Sequence, residues 1–177
     1  MQTSTDVIFI NSIMLKIADV FSNQETTNKL RAHIVKELIA KCQTILETNV
    51  FNKQEFATRA SQPLMSNDPQ QRMITLKMFS YLPSFIQTRI DIQHQILNLL
   101  TTTTNEQERL VANQTIYLIS CGSELFAKSI MSKVQGTVLS GKFSSDTCRH
   151  LIEAIGNVSG DSNTAMCLFE RIEQLYT

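Results

Sequence analysis

Apolar residues recur along this chain at every third or fourth position and almost nowhere alternate strictly, so the pattern predicts helices throughout and no strand. Ile10, Ile13, Ile17, Val20 and Phe21 mark a first helix over about 11–21, with Asn11 as its cap. Leu30, Ile34, Leu38, Cys42 and Ile45 form a longer stripe, a second helix with Lys29, Lys36, Glu37 and Lys41 away from its centre. A third spans about 53–65, and Pro63 disturbs its last turn. In "SNDPQQRMITLKMFSYLP", residues 66–83, Asp68 supplies a capping oxygen and Pro69 fills the first helical position, where its missing N–H costs nothing. The fourth helix therefore starts there. Its apolar arc has Ile74, Met78, Leu82 and Phe85 on one side and Met73, Leu76 and Phe79 or Ser80 on the next, wide enough to meet neighbours on two sides. Pro83 breaks it, and Ser84 is the expected cap of a fifth helix carrying Ile86, Ile90, Leu97 and Leu100.

The polar, β-branched run "TTTTNEQE", residues 101–108, makes a connector. A sixth helix follows over about 106–120 and is stopped by Gly122. Ser123 starts a seventh with Phe126, Ile130, Val134 and Val138, ending at Gly141. An eighth covers about 145–158 with Leu151, Ile155 and Val158 inward, and a ninth, capped by Ser159 or Asp161, uses Leu168, Ile172 and Leu175. The expected fold is all-α, with about nine helices and short connections.

Three helix starts share a spacing. Asp68, Asn105 and Ser145 are cap candidates, and each is followed four positions later by an arginine: Arg72, Arg109 and Arg149. The steps between these arginines are 37 and 40 residues, close to the period of armadillo and HEAT repeats. Units 67–104, 105–143 and 144–177, preceded by N-terminal helices in 1–66, then build a single right-handed α-solenoid in which each unit buries its apolar faces against the next.

Composition narrows the picture further. The 177 residues include five glycines, three prolines and no tryptophan, too few of the residues that turns and barrel corners need. Sixteen basic residues balance sixteen acidic ones, so no global field draws the protein to nucleic acid or an anionic membrane. Cys42, Cys121, Cys148 and Cys167 sit in apolar helical patterns and are read as reduced core thiols of an intracellular protein. The N-terminus has no signal-peptide pattern, and no apolar run is long enough to span a membrane. The sequons at Asn113 and Asn157 fall in predicted helix and carry no glycan on this reading.

The chemistry-bearing residues are sparse. His33, His94 and His150 match no metal-ligand spacing with one another or with the cysteines, so no metal or other cofactor is expected. Cys148 and His150 lie two apart and point different ways on a helix, which argues against a thiol nucleophile served by that histidine and Asp146. No glycine-rich phosphate cradle occurs. Glu106 and Glu108 are explained as solvated first-turn carboxylates. Arg72, Arg109 and Arg149 could follow a phosphate backbone, the alternative function being nucleic-acid binding by a helical-repeat protein. The structural reading, favoured here, has each arginine pair with a nearby carboxylate or lie across a repeat junction.

"INSIMLKIADVF", residues 10–21, and "SNDPQQRMITLKMFSYL", residues 66–82, resemble consecutive segments near the N-terminus of the family of subunit seven of the Integrator complex. In that family a Ser-Asn-Asp-Pro helix start is followed by an arginine and an Ile-Thr-Leu-basic-Met run, matched here by Arg72 and by Ile74 to Met78. The stretches "QERLVANQTIYLIS" and "SELFAKSIMSKV" continue the likeness, which runs over residues 8–135. The resemblance implies a non-catalytic helical-repeat scaffold in a nuclear assembly that cleaves nascent transcripts, processes small nuclear RNA and attenuates RNA polymerase II transcription. Family members are far longer, so the chain is read as a fragment, a divergent short paralogue, or part of a reduced complex. The implied partners are other protein subunits. A truncated solenoid would expose Leu168, Phe169, Ile172 and Tyr176, for a partner or for self-association through the C-terminal helix. The predicted partner-binding residues are those four together with Arg72, Arg109 and Arg149.

Overall fold

The computed structural model describes residues 4–123, with Phe126 and Ile130 beyond them. Among the described residues every element is helical: α1 (Ser4–Ser22), α2 (Asn28–His33), a π-helical stretch (Ile34–Ile39), α3 (Ala40–Asn49), α4 (Lys53–Ala60), a 3-10 turn (Gln62–Met65), α5 (Pro69–Tyr81), a second 3-10 turn (Pro83–Phe85), α6 (Ile90–Thr102) and α7 (Glu106–Gly122). The all-α expectation holds over this stretch. The helices expected after residue 123 lie outside it.

Several boundaries fall where the sequence put them. Asp68 Oδ1 accepts from the Gln70 N–H at 2.8 Å with Pro69 behind it, and α5 starts there. Asn105 Oδ1 accepts from the Gln107 and Glu108 N–H groups at 3.0 and 3.2 Å and starts α7. Pro63 does turn the end of the third helix into a 3-10 turn.

The buried faces of the first two helical runs are rotated from the expected stripes. On α1, Asn11, Met14, Ala18 and Phe21 are buried, whereas Ile13 and Val20 are 37% and 40% exposed. Asn11 is not a cap; it lies inside α1, which begins about two turns earlier than expected. Its Nδ2 donates to Val7 O at 2.8 Å and Asn49 O at 3.2 Å, and its Oδ1 accepts from the Phe51 and Asn52 N–H groups at 2.9 and 3.2 Å. That amide joins α1 to the α3–α4 turn, and its four bonds draw the helix face round toward it. Asn11→Ala strands two partly buried N–H groups and a carbonyl, so it should destabilise the fold by about 2 kcal/mol. Urea unfolding followed by circular dichroism measures this, and a loss near zero would show that water replaces the amide.

In the second run Arg31, Val35, Ile39 and Leu46 are buried, while Leu30 and Ile45 are 45% and 51% exposed. The run is one helix by path, but its middle loosens: the Ala40 N–H donates five residues back, to Val35 O. The Leu30–Ile45 stripe is thus replaced by one a position further on, because a buried arginine occupies the place the sequence pattern gives to an apolar residue.

Helix α5 touches α2, the π stretch and α3 before it and α7 after it, so its wide apolar arc meets neighbours from both directions, with Leu76, Met78 and Phe79 fully buried. Helix α1 packs on α4, α4 on the Pro83–Phe85 turn, and α6 on α7. Phe56 and Phe85 meet edge to face at 5.3 Å, worth about 1 kcal/mol beyond their burial. Ser84 does not cap the fifth helix. Its hydroxyl is taken by the Glu47 carboxylate and by Lys53 Nζ at 2.9 Å, and α6 starts only at Ile90. Of the cysteines, Cys42 is half-buried and Cys121 is exposed at the end of α7, so Cys121 is not a core thiol.

Candidate functional site

The arginines four places after a helix cap form a structural series, and the series has an earlier member. Thr27 Oγ1 accepts from the Leu30 N–H at 3.3 Å and caps α2, which puts Arg31 at the same place as Arg72 in α5 and Arg109 in α7. Side chains on a helix lean toward its N-terminus, so a long one in the first full turn reaches the carbonyls that precede the cap. All three do so. Arg31 donates from Nε to Phe21 O at 2.8 Å, from Nη1 to Thr26 O at 2.5 Å and from Nη2 to Asn23 O at 2.6 Å. Arg72 Nη1 donates to Ser66 O at 2.7 Å, and Arg109 Nη2 to Thr103 O at 2.8 Å. The residue two before the cap repeats as well: Ser66 Oγ accepts from the Asp68 N–H at 3.1 Å, and Thr103 Oγ1 from the Asn105 N–H at 3.2 Å.

Contacts also pass from one helix of the series to the next. Asn28 Nδ2 at the start of α2 donates to Asp68 Oδ2 at the start of α5 at 2.7 Å. Arg72 on α5 makes a two-pronged bond to Glu108 on α7, Nε to Oε1 at 2.5 Å and Nη2 to Oε2 at 2.8 Å. Glu108 is wholly buried and takes a further hydrogen bond from the Thr103 hydroxyl. Burial pushes its carboxyl up, but the hydrogen bonds from Arg72 and Thr103 outweigh that and hold it below the usual carboxylate range. Arg72 is raised in turn by the same bond. Glu108 is therefore not the solvated helix-start carboxylate that its position suggests, whereas Glu106 is exposed and pairs with Arg109 at 2.5 Å.

Of the predicted partner-binding residues, Arg72 and Arg109 lie at equivalent places on two packed helices, their side chains only 15% and 18% exposed, Arg72 turned to Ser66 O and the buried Glu108 and Arg109 to Thr103 O and the exposed Glu106. Arg149, Leu168, Phe169, Ile172 and Tyr176, with Cys148 and His150, lie outside the described residues. Sequence reading missed Arg31 and Glu108. The first carries the cap-plus-four spacing from Thr27 and was legible; the second has no local mark, because its partner is 36 residues away. Among the described residues no three His, Cys, Asp or Glu side chains converge as a metal site, and no helix is long and apolar enough to cross a membrane.

The chain matches the family described as Integrator complex subunit 7, N-terminal, over residues 6–177, further than the 8–135 that the motifs covered. It is 32% identical to Integrator complex subunit 7 of Homo sapiens over 171 residues, 96% of this chain and 17% of the relative. Integrator complex subunit 7 of Gallus gallus is 30% identical over 171 residues, again 96% and 17% of the two chains. The Integrator complex subunit 7 homolog of Dictyostelium discoideum is 27% identical over 134 residues, 74% of this chain and 12% of that one. The chain thus spans about 17% of the length of the vertebrate relatives.

Proposed function

The chain belongs to the Integrator complex subunit 7 family, through its N-terminal region, and on that premise we propose that it is a non-enzymatic scaffold in an Integrator-like nuclear complex. In this reading it serves RNA 3'-end processing and the control of RNA polymerase II transcription by holding other protein subunits. The packing of α2, α3, α5 and α7 then belongs to a right-handed armadillo/HEAT-like solenoid. The observation that carries the reading is the Arg72–Glu108 pair, which fixes the register of two successive helices of the series. A charge pair closed inside the stack serves a framework rather than a reacting centre. Leu168, Phe169, Ile172 and Tyr176 are assigned to a surface that a partner or a second copy covers.

Affinity purification of the tagged chain from nuclei, followed by mass spectrometry, tests this. Integrator subunits should be enriched over an untagged control, and recovery of only cytoplasmic trafficking or metabolic proteins overturns the reading.

A further inference from the structure

Helix α1 carries apolar side chains on two opposite sides. At about 100° per residue, Met14, Ala18 and Phe21 lie with Asn11 on the side that faces the core, and they are buried. Phe9, Ile13, Lys16 and Val20 fall within about 60° of one another on the side turned away. Phe9 is 66% exposed, Ile13 and Val20 are exposed by more than a third, and Lys16 is exposed. A helix that is apolar all round belongs between neighbours. Among the described residues, however, the packing of α1 on α3, α4 and the Gln62–Met65 turn leaves this second side open. The patch widens at the N-terminal end of α1. There one Asn11 amide holds both the Val7 carbonyl and the Phe51 N–H, which brings the exposed Phe51 beside Ile8, itself next to Phe9 and 67% exposed.

The spacing of the stripe and the one charge within it say what kind of surface covers it. Steps of four, three and four residues from Phe9 to Val20 are those of a seam into which another helix packs, knob into hole. Lys16 stands inside that seam. Asp19, one turn further on, accepts from Arg59 Nη1 at 2.8 Å, and Lys16 itself has no carboxylate partner among the described residues. An apolar residue set against Lys16 would strip water from its ammonium without replacing it, whereas a carboxylate supplies the missing acceptor. A second copy of the chain offers none. With the two stripes parallel, Lys16 stands level with its twin, and with them antiparallel the twins lie about 4.5 Å apart along the axis, so like charges meet in either case.

We propose that the outward stripe of α1 binds an amphipathic helix of a partner protein, running antiparallel, with an acidic residue facing Lys16 and apolar residues facing Val20, Ile13 and Phe9. The antiparallel sense lets the two helix dipoles attract. Read along the partner, the pattern is an apolar residue, an acidic one four places on, and apolar ones three and then four places further. The proposal rests on the scaffold reading and adds the chemistry of one partner.

The test is fluorescence anisotropy of the whole 177-residue chain with a labelled, alanine- and glutamine-based helical peptide of about 20 residues that carries leucine, glutamate, leucine and leucine at those positions. One control carries lysine for the glutamate, and another keeps the composition but spreads the leucines round the helix. The glutamate peptide should bind at least about tenfold more tightly than either control. Lys16→Glu should weaken it about tenfold and make the lysine peptide the better ligand, a reversal that loss of folding cannot produce. Phe9→Ser should also weaken the glutamate peptide with its melting curve unchanged, and Ile13→Ser serves where that variant melts early. No binding of the glutamate peptide up to about 1 mM, equal binding of the controls, no reversal by Lys16→Glu, or a dimer in sedimentation that Phe9→Ser dissociates would each overturn the proposal. Should that happen while Integrator subunits still copurify, the docking face alone is refuted; should both experiments fail, the scaffold reading goes with it.

Discussion

Glu108→Ala should lower the unfolding free energy by about 3–5 kcal/mol, since removing one partner of a buried ion pair leaves the other charge uncompensated. Among the described residues Arg72 would keep only Ser66 O as its acceptor, and the Thr103 hydroxyl would lose its carboxylate. Replacing both charges tells the pair's register role from its net energy. The double variant Arg72→Leu, Glu108→Leu should recover much of the loss, because a well-packed apolar pair avoids the desolvation cost that the ion pair carries. Urea unfolding of wild type, both single variants and the double variant gives the coupling. A Glu108→Ala loss below about 1 kcal/mol would place the pair in the class of exposed surface bridges, and would sink the claim that it locks α5 to α7.

The pair also sets an acid dependence. The folded-state pKa of Glu108 lies below its unfolded value, so its contribution is full at neutral pH and is lost as pH falls through the depressed folded-state pKa. A Glu108→Gln variant should therefore lose less stability than wild type on going from neutral to acid solution, although it starts from a lower value.

The sequence showed helix starts better than helix faces, for a physical reason. A cap is a local event: Asp68, Pro69 and Asn105 each satisfy or avoid backbone N–H groups within a few residues, so the residue types alone announce the boundary. A buried face is decided by what the neighbouring element offers. Asn11 has the residue type of a cap and Arg31 that of a surface position, yet both are buried because carbonyls and N–H groups from other segments close around them. Once they turn inward, Ile13, Val20, Leu30 and Ile45 turn outward. Ser84 illustrates the same limit, having the residue type of a cap but being drawn instead to Glu47 and Lys53. The arginine series lay between these cases. Its spacing is visible, but only the fold joins Arg72 to a carboxylate 36 residues away and extends the series back to Arg31.

Arg31 gives the second large effect. Its side chain is among the largest that are fully buried, and among the described residues no carboxylate is bonded to it; its acceptors there are the carbonyls of Phe21, Asn23 and Thr26 and the Asn28 amide oxygen. Burial lowers its pKa, and the nearby Asp68 charge offsets that only in part. The stabilisation therefore comes from the planar fork, which satisfies three carbonyls of the α1–α2 turn at once, and not from charge pairing. Lysine keeps the charge but has no fork, and methionine has neither, so Arg31→Lys and Arg31→Met should be similarly harmful, each costing about 3 kcal/mol. Amide exchange should quicken first at residues 23–30, where the turn loses its clamp, before it quickens in α5. If Arg31→Lys matched wild type to within about 0.5 kcal/mol while Arg31→Met did not, the charge and not the fork would be what closes the turn, and Arg31 would have to be regarded as a counter-ion of Asp68 rather than as the first member of the arginine series.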